Sequence, residues 1–129
     1  TPKPSSAASD VYKRQAIFEP DWRPVDAGLS MKSVATRFTR ADGAPMGIAG
    51  LWDHWHDAAG QRQESYTMLT VNADDHPLFK HYHQSGKEKR MIVILPEGAY
   101  GDWLTAPAEA ARGLLVPFPA DKLVATPMP

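Results

Sequence analysis

The stretch from Met46 to Leu95 decides the fold of this 129-residue chain: it opens with MGIAGLWDHW, passes through SYTMLTVNADDHPLFKHYH and closes with KEKRMIVIL. Three apolar runs of strand-like length alternate here with a turn and one short segment of helical pattern. Ionisable side chains crowd the junction between that segment and the last run: His81, His83, Lys87, Lys89 and Arg90. Because ionisable groups meet predicted core at this junction, we look for function there first.

The composition limits the classes of protein to which the chain can belong. A length of 129 residues suits one domain, and a net charge of −1 gives no overall attraction to nucleic acid or membrane. The chain has no Cys, which excludes disulfides, thiolate metal sites and a thiol nucleophile within it. No apolar run is long enough to span a membrane. We therefore expect a cytoplasmic protein in which any surface that binds a polyanion is local.

The first fifteen residues, TPKPSSAASDVYKRQ, differ from everything after them. They are rich in Pro, Ser and Ala and show no sustained apolar period, so they can bury little surface. Their end, SDVYKRQ, resembles a translated adaptor sequence of the kind found in metagenomic assemblies. We expect Thr1–Gln15 to be a non-native or disordered leader and residues 16–129 to form the folded part.

The segments before Met46 read as strands joined by a turn. Ala16–Glu19 form a short apolar run that Pro20 ends, and Asp21–Ser30 read as a loop. Met31–Arg40 alternate between apolar and polar residues, which predicts a half-buried strand. An Asp-Gly pair at 42–43 then centres a hairpin turn.

Three strands and several short helices follow. Met46–Trp55 and Glu64–Val71 read as strands, with glycines inside the first that mark a bulge or a close backbone approach. Met91–Leu95 read as a strand buried on both faces. Three segments have helical patterns: His76–His83, capped by Asp74 or Asp75; Glu97–Leu104; and Ala108–Leu115, capped by Thr105. Leu123–Met128 is predicted to be a last edge strand. We predict an α+β fold with a curled antiparallel sheet or partial β-barrel.

Each candidate site residue has both a structural and a functional interpretation. His81 and His83, with His76 nearby, form a possible metal pair, but an i,i+2 pair on a helix points to different faces, so we predict no metal site. His83 beside the basic segment is either a general acid or base or a helix-terminal His. Glu19 is either a surface residue on an edge strand or a functional carboxylate that is costly to bury.

The basic segment also has two interpretations. Lys80, Lys87, Lys89 and Arg90 are offset by one acid, Glu88. Such a patch is either a solvated face or, with Tyr82 and Trp52 as stacking partners, a site for single-stranded nucleic acid.

The chain also contains three ordered motifs at compatible spacing, which together are more specific than any one of them: Gly47-Ile-Ala-Gly-Leu-Trp-Asp-His-Trp, Tyr66-Thr-Met-Leu-Thr-Val-Asn-Ala-Asp, and His83 followed by Arg90-Met-Ile-Val-Ile-Leu. Together they resemble the SRAP family, the SOS response-associated peptidase-like proteins that process abasic sites in DNA. The resemblance covers Ala16 to the C terminus. It implies an SRAP-like fold of which this chain is the C-terminal portion.

The resemblance implies a protein that binds single-stranded DNA at abasic sites and crosslinks to them. In the family, removal of the initiator Met exposes an N-terminal Cys, whose α-amine forms an imine with the ring-opened sugar. The thiol of that Cys then closes a thiazolidine. This chemistry is described as abasic-site lyase and crosslinking activity with N-terminal autoprocessing, hence the peptidase and hydrolase names. It implies no cofactor and a monomer that associates with the bacterial nucleoid.

Residue by residue, the resemblance assigns roles to several positions. Glu19 matches an active-site Glu, and His83 matches the catalytic His that precedes the Arg-Met strand. Thr70 matches a Thr that lines the DNA pocket, and Arg90 matches a contact to the DNA backbone. The neighbouring Lys87 and Lys89 are expected to bind DNA as part of the same basic segment.

The chain departs from the family pattern at four places, one of which, Ile92 where members commonly have Pro after Arg-Met, should matter little for the chemistry. Pro20 follows Glu19 where the family has an aromatic residue, and the residues from Gln84 to Lys89 lengthen the segment between His83 and Arg90. His81 competes with His83 for the role of the catalytic His, although the pair Tyr82-His83 fits the pattern better. The nucleophilic Cys has no counterpart in this chain. The alternative is therefore a non-catalytic single-strand DNA-binding or structural domain of the same fold.

Overall fold

Nine β-strands and two short α-helices make up the described part of the chain. The structure, a computed structural model, describes residues 8–24, 31–82 and 88–128. The strands are β1 (Ala8–Arg14), β2 (Ile17–Pro24), β3 (Met31–Arg40), β4 (Met46–His56), β5 (Arg62–Met68), β6 (Thr70–Asn72), β7 (Arg90–Ile92), β8 (Ile94–Leu95) and β9 (Leu123–Met128). The helices are α1 (Tyr100–Thr105) and α2 (Ala108–Ala111).

The strands form three antiparallel sheets. In the first sheet, β4 pairs with β1 along one edge and with β5 and β8 along the other. The second sheet has the order β2-β3-β9, and the third is the pair β6-β7. These sheets and the short helices confirm the predicted α+β class, and in the described part of the chain the sheets do not close into a barrel.

Two apolar clusters form the core. The first includes Phe38, Phe79 and Met91, and the rings of Phe38 and Phe79 stack with centroids 4.5 Å apart. The second includes Val93 and Trp103, so it lies between the first sheet and α1. The first cluster therefore joins the second sheet to the β6-β7 pair.

The apolar run Met91–Leu95 is divided between two strands that belong to two different sheets, whereas the sequence predicts one strand. Its first part pairs with β6 and its last part pairs with β4. Between them, the backbone N–H of Val93 donates to the carbonyl of Leu69 at 2.9 Å, and the carbonyl of Val93 accepts from the N–H of Ala49 at 2.9 Å. Ile94 then joins the first cluster and Val93 the second, because neighbouring strand residues face opposite ways. The predicted burial on both faces is confirmed.

The glycines inside β4 mark close approaches, as predicted. A Cβ on Gly50 would lie 1.9 Å from Cε2 of Tyr12 and 2.8 Å from the carbonyl oxygen of Thr67. A Cβ on Gly47 would lie 2.3 Å from Cζ of Tyr100. Both contacts are far inside van der Waals distance, so only glycine fits at these positions without a shift of the neighbours.

β1 corrects the expectation that all of Thr1–Gln15 lies outside the fold. Ala8–Arg14 pair with β4 along seven residues, and Nε1 of Trp103 donates to the carbonyl of Asp10 at 2.9 Å. The physical reason is that an unpaired edge of β4 exposes backbone N–H and C=O groups. An extended segment can form hydrogen bonds with these groups whatever its side chains are. The origin of the segment as a translated adaptor stays a prediction.

β2 is longer than predicted. It continues through Pro20 to Pro24 and so takes up the first part of the predicted loop Asp21–Ser30. β2 lies at the edge of its sheet. Proline is tolerated there because its missing N–H can face away from the ladder.

Two of the three predicted helical segments are confirmed to within one residue, because α-helical and 3-10 turns together cover 97–105 and 108–114 without a break. The first predicted helix is shorter than expected. The segment His76–His83 contains a single 3-10 turn, Phe79–His81, in its described part. The expected Thr105 cap of α2 is wrong, because Oγ1 of Thr105 donates back to the carbonyl of Gly101 in α1 at 2.8 Å. The final strand β9 is confirmed at the edge of its sheet. Among the described residues, no helix has the length and apolar character needed to cross a bilayer.

Candidate functional site

Two residues predicted to bind DNA are in direct contact. Thr70 begins β6 and Arg90 begins β7, and these strands pair antiparallel. Nε of Arg90 donates to Oγ1 of Thr70, and Nη2 of Arg90 donates to the carbonyl oxygen of Thr70, both at 2.9 Å. The neighbouring strand thus holds the guanidinium in one orientation. A guanidinium fixed in this way is suited to a directional contact with a phosphate.

An acid and an amide complete this group, which we call the Arg90 cluster: Thr70, Asn72, Glu88 and Arg90. Oε2 of Glu88 accepts from Nη1 of Arg90 at 2.9 Å and from Nδ2 of Asn72 at 2.8 Å. The side chains of Arg90 and Glu88 are 45% and 51% exposed, so solvent screens their ion pair and it adds little stability. An incoming phosphate would compete with Glu88 for the guanidinium.

Glu88 and Asn72 are functional candidates that the sequence reasoning missed. The sequence contains a feature that could have identified Glu88, because this residue is the one acid within the basic segment. Asn72 lies within the second family motif, but nothing in its spacing shows that it faces Arg90 across β6 and β7.

Lys89 is tied to this cluster through its backbone. Its N–H donates to Oδ1 of Asp74 at 2.9 Å, and its carbonyl accepts from the N–H of Ala73 at 2.7 Å. Nδ2 of Asn72 donates to the other oxygen of Asp74 at 3.0 Å. The hydrogen bonds from Asn72 and Lys89 hold the pKa of Asp74 below its ordinary value. An ionised carboxylate therefore links the end of β6 to the residue before β7.

Glu19 is half-buried on the core-facing side of the second sheet. Its partner across β2 and β3 is Thr36, which is completely buried, and the next pair on the same face joins Ile17 to Phe38. A carboxylate on this face is partly withdrawn from water beside the core. Such an environment is typical of a functional acid or base, although structural carboxylates also occur there.

His83 and Lys87 lie outside the described residues, so their roles stay predictions. The residue before His83 is described: the ring of Tyr82 meets the ring of Phe38 edge-on, with centroids 4.9 Å apart. Phe38 faces the same side of the second sheet as Glu19. The chain leading to His83 therefore reaches the sheet face that carries Glu19.

Glu19 and the Arg90 cluster belong to sheets that share one core. Phe38 of β3 and Met91 of β7 are both fully buried members of the first apolar cluster. Thr70 and Arg90 are thus joined by hydrogen bonds. Glu19 lies on a different sheet, which packs against the same apolar cluster as the strand of Arg90.

His76 has a structural role that the sequence reasoning did not foresee. The residue is 6% exposed, Nε2 donates to the carbonyl of Phe118 at 2.7 Å, and Nδ1 accepts from the N–H groups of Leu78 and Phe79 at 3.2 and 3.1 Å. Both ring nitrogens are therefore occupied, and Nε2 carries the proton. His81 is exposed at the end of the 3-10 turn. Across residues 8–24, 31–82 and 88–128, no three His, Asp or Glu side chains are grouped as metal ligands.

Trp52 lines a cavity whose charged groups are acidic. The cavity has a volume of about 430 Å³ and is formed with Tyr12, Tyr66, Asp10 and Glu64 among others. The rings of Tyr12 and Tyr66 lie 5.1 Å apart. Carboxylates repel a phosphate backbone, so this cavity does not support the predicted role of Trp52 in stacking a base beside the basic segment.

Comparison with known proteins identifies the family. A model of the SOS response-associated peptidase (SRAP) family matches residues 17–129. The chain is similar to a crystal structure of a protein from Bordetella bronchiseptica, with 62% identity and a TM-score of 0.85, over 95% of this chain and 55% of that one. A protein from Bacteroides thetaiotaomicron has the same fold at 22% identity and a TM-score of 0.79, over 98% of this chain and 52% of that one. No functionally curated protein gives a significant match.

Two facts follow from these matches. The chain spans about half the length of the solved structures that it matches. Residues 17–129 make up less than 95% of this chain, so the match to the Bordetella protein must include some residues before Ile17. Since the family model covers most of the chain, the protein belongs to the SOS response-associated peptidase (SRAP) family.

Proposed function

We propose that this chain binds single-stranded DNA at abasic sites and is part of an abasic-site processing protein. Arg90 contacts a backbone phosphate, and Thr70 lines the pocket beside it. Lys87 and Lys89 supply further positive charge along the strand, and Glu19 and His83 act as acid and base at the sugar. The observation that carries the proposal is the pair of 2.9 Å hydrogen bonds between Arg90 and Thr70.

The Arg90 cluster works by exchange of anions. Among the described residues, Glu88 occupies Nη1 of Arg90 while Thr70 holds Nε and Nη2. A phosphate competes with the Glu88 carboxylate for Nη1, whereas the bonds to Thr70 keep the plane of the guanidinium in place. Glu88 therefore lowers the affinity for anions and restricts binding to ligands that can displace it.

The chemistry at the sugar requires a proton donor and a proton acceptor. An abasic sugar opens to its aldehyde when one group gives a proton to the ring oxygen and another takes a proton from the hydroxyl. A half-buried carboxylate at Glu19 and an imidazole at His83 are groups of the correct types. The packing of Tyr82 against Phe38 supports bringing His83 to the face that carries Glu19.

The test measures binding of a fluorescent single-stranded oligonucleotide that contains a stable abasic analogue, across a series of salt concentrations. Arg90→Gln should weaken binding about tenfold and reduce the slope of log affinity against log salt by about 0.7, the value for one phosphate on a single strand. Glu88→Gln should strengthen binding, because the guanidinium loses its competitor.

Arg62 and Glu64 provide a matched control on β5. They form an exposed ion pair of the same spacing and length, 2.9 Å, with exposed fractions of 50% and 62%. Arg62→Gln and Glu64→Gln should leave the affinity and the salt slope unchanged. Equal effects of the Arg90 and Arg62 variants would show that binding follows net charge and would overturn the proposed site.

The second candidate is a single-strand DNA-binding domain of the same fold without catalysis, for which a chain with no Cys has every group that it requires. A gel assay of strand cleavage on a natural abasic oligonucleotide separates the two. Cleavage that Glu19→Gln abolishes supports processing activity, whereas binding without cleavage supports the non-catalytic domain.

A further inference from the structure

Thr36 presents a hydroxyl for which the described residues supply no partner. The residue has no exposed surface, and its Oγ1 is buried without a hydrogen bond within the described part of the chain. It lies on β3 in the core-facing row that also contains Phe38. A Val has the same shape and would fill this place without burying a polar atom.

An unpaired buried hydroxyl opposes folding, because it gives up its hydrogen bonds to water and gains none in return. Such a group is rare in folded proteins, and each one calls for a physical explanation. A hydroxyl that gains its partner when a neighbouring side chain changes rotamer is such an explanation.

Glu19 is the carboxylate within reach of this hydroxyl. The two residues face each other across β2 and β3, and side chains opposite each other in an antiparallel pair point to the same face. Their Cβ atoms are then about 5 Å apart, and the Glu carboxylate extends beyond its Cβ by two further bonds. At this separation a rotamer of Glu19 directed at β3 reaches Oγ1 without a change in the backbone, in exchange for the interaction that Glu19 makes in the structure.

We propose that Thr36 is a positioning residue for Glu19, and that its hydroxyl donates a hydrogen bond that holds the carboxylate ionised and directed at the ligand. The idea rests on the proposed function, since Glu19 must act as an acid or base for its position to matter. Thr36 itself, fully buried, stays out of contact with the DNA. Because the two residues lie on paired strands, the sheet fixes the separation of their backbones.

Other ionisable groups near this face have to be separated from the effect of Thr36. The alternation of β2 and β3 places Asp21 and Arg40 on the same side of the sheet as Glu19, and Tyr82 packs against it through Phe38. The nearest of these along the strand is Asp21, two residues from Glu19. A substitution confined to the hydroxyl of Thr36 leaves all three in place.

The test is an NMR titration of the Glu19 side-chain carboxyl in the full chain, with Glu19→Gln used to assign its signal. Thr36→Val removes the hydroxyl at constant shape and should raise the pKa of Glu19 by about one pH unit, since a hydrogen bond to a charged group is lost. Thr36→Ser keeps the hydroxyl and should restore the original value. Thr36→Ala is a second hydroxyl-free variant should the Val variant fail to fold.

Thr39→Val is the matched control, because Thr39 lies on the same strand and faces the other side of the sheet. It should leave the Glu19 titration unchanged. An unchanged titration in the hydroxyl-free variants, or a change that Thr36→Ser does not reverse, overturns the proposal. The titration needs no DNA, so a loss of DNA binding by the unmodified chain would refute the proposed function without affecting this result.

Discussion

At Arg90, the guanidinium donates to three oxygen atoms of the described residues, which lie in two segments of the chain. Two belong to Thr70, twenty positions earlier, and the third belongs to Glu88. The resemblance to the family identified Arg90 and Thr70 separately, because each stands in its own motif. Their contact depends on the pairing of β6 with β7, which a list of motifs does not contain.

Asp74 gives a prediction at the scale of one residue. Its pKa is lowered by hydrogen bonds from Asn72 and from the backbone of Lys89. A carboxyl with a depressed pKa in the folded state stabilises the protein fully above its unfolded value of about 3.9, and this contribution is lost as the pH falls through the folded value. Asp74→Asn should therefore lower the melting temperature at pH 6, and the difference from the unmodified chain should shrink below about pH 4.

Thermal melts followed by circular dichroism between pH 2.5 and 7 measure this dependence. Asp75→Asn changes the neighbouring exposed residue and serves as the control for lost charge. A deficit of the Asp74 variant that stays constant across the whole pH range would contradict the account.

At the scale of elements, the first sheet depends on how closely β1 and β5 approach β4. The ring of Tyr12 and the carbonyl of Thr67 both lie where a side chain on Gly50 would have to be. The sequence indicated either a bulge or a close approach at this glycine. The structure shows a close approach and no bulge at Gly50, because this residue pairs in register with both neighbouring strands.

Gly50→Ala should destabilise the protein by about 1–3 kcal/mol, since the added methyl group forces side chain or backbone to shift. Chemical denaturation gives the free energy of unfolding. Gly101→Ala is the control within α1, where nothing lies within 4 Å of the added atom, and it should stabilise by up to about 1 kcal/mol. If Gly50→Ala were as stable as the unmodified chain, the packing of Tyr12 over β4 would be wrong.

At the scale of the whole molecule, the chain combines the family's fold with the absence of a thiol. It spans about half of the related solved structures and contains no Cys. In the chemistry implied by the resemblance, a thiazolidine needs an amine and a thiol on the same residue. Both the fold and the DNA contacts proposed for Arg90 are independent of that residue.

The polypeptide as written should therefore form no thiazolidine crosslink with abasic DNA. The assay incubates the chain with a natural abasic single strand and looks for an adduct that survives heating in denaturing gels. An SRAP protein that carries an N-terminal Cys is the positive control. A heat-stable adduct formed by this chain would refute the prediction.

The sequence by itself determined the class of fold, most strand positions and the family, because alternation, turn residues and ordered motifs are local properties of a chain. The resemblance to the family, carried by those motifs, assigned Glu19, Thr70 and Arg90 as candidates. Tertiary structure decided the division of Met91–Leu95 between two sheets, the inclusion of Ala8–Arg14 as a strand, and the contacts among the site residues. These depend on which distant segments supply a hydrogen-bonding edge or a buried neighbour, and that information is not present in any one stretch of the chain.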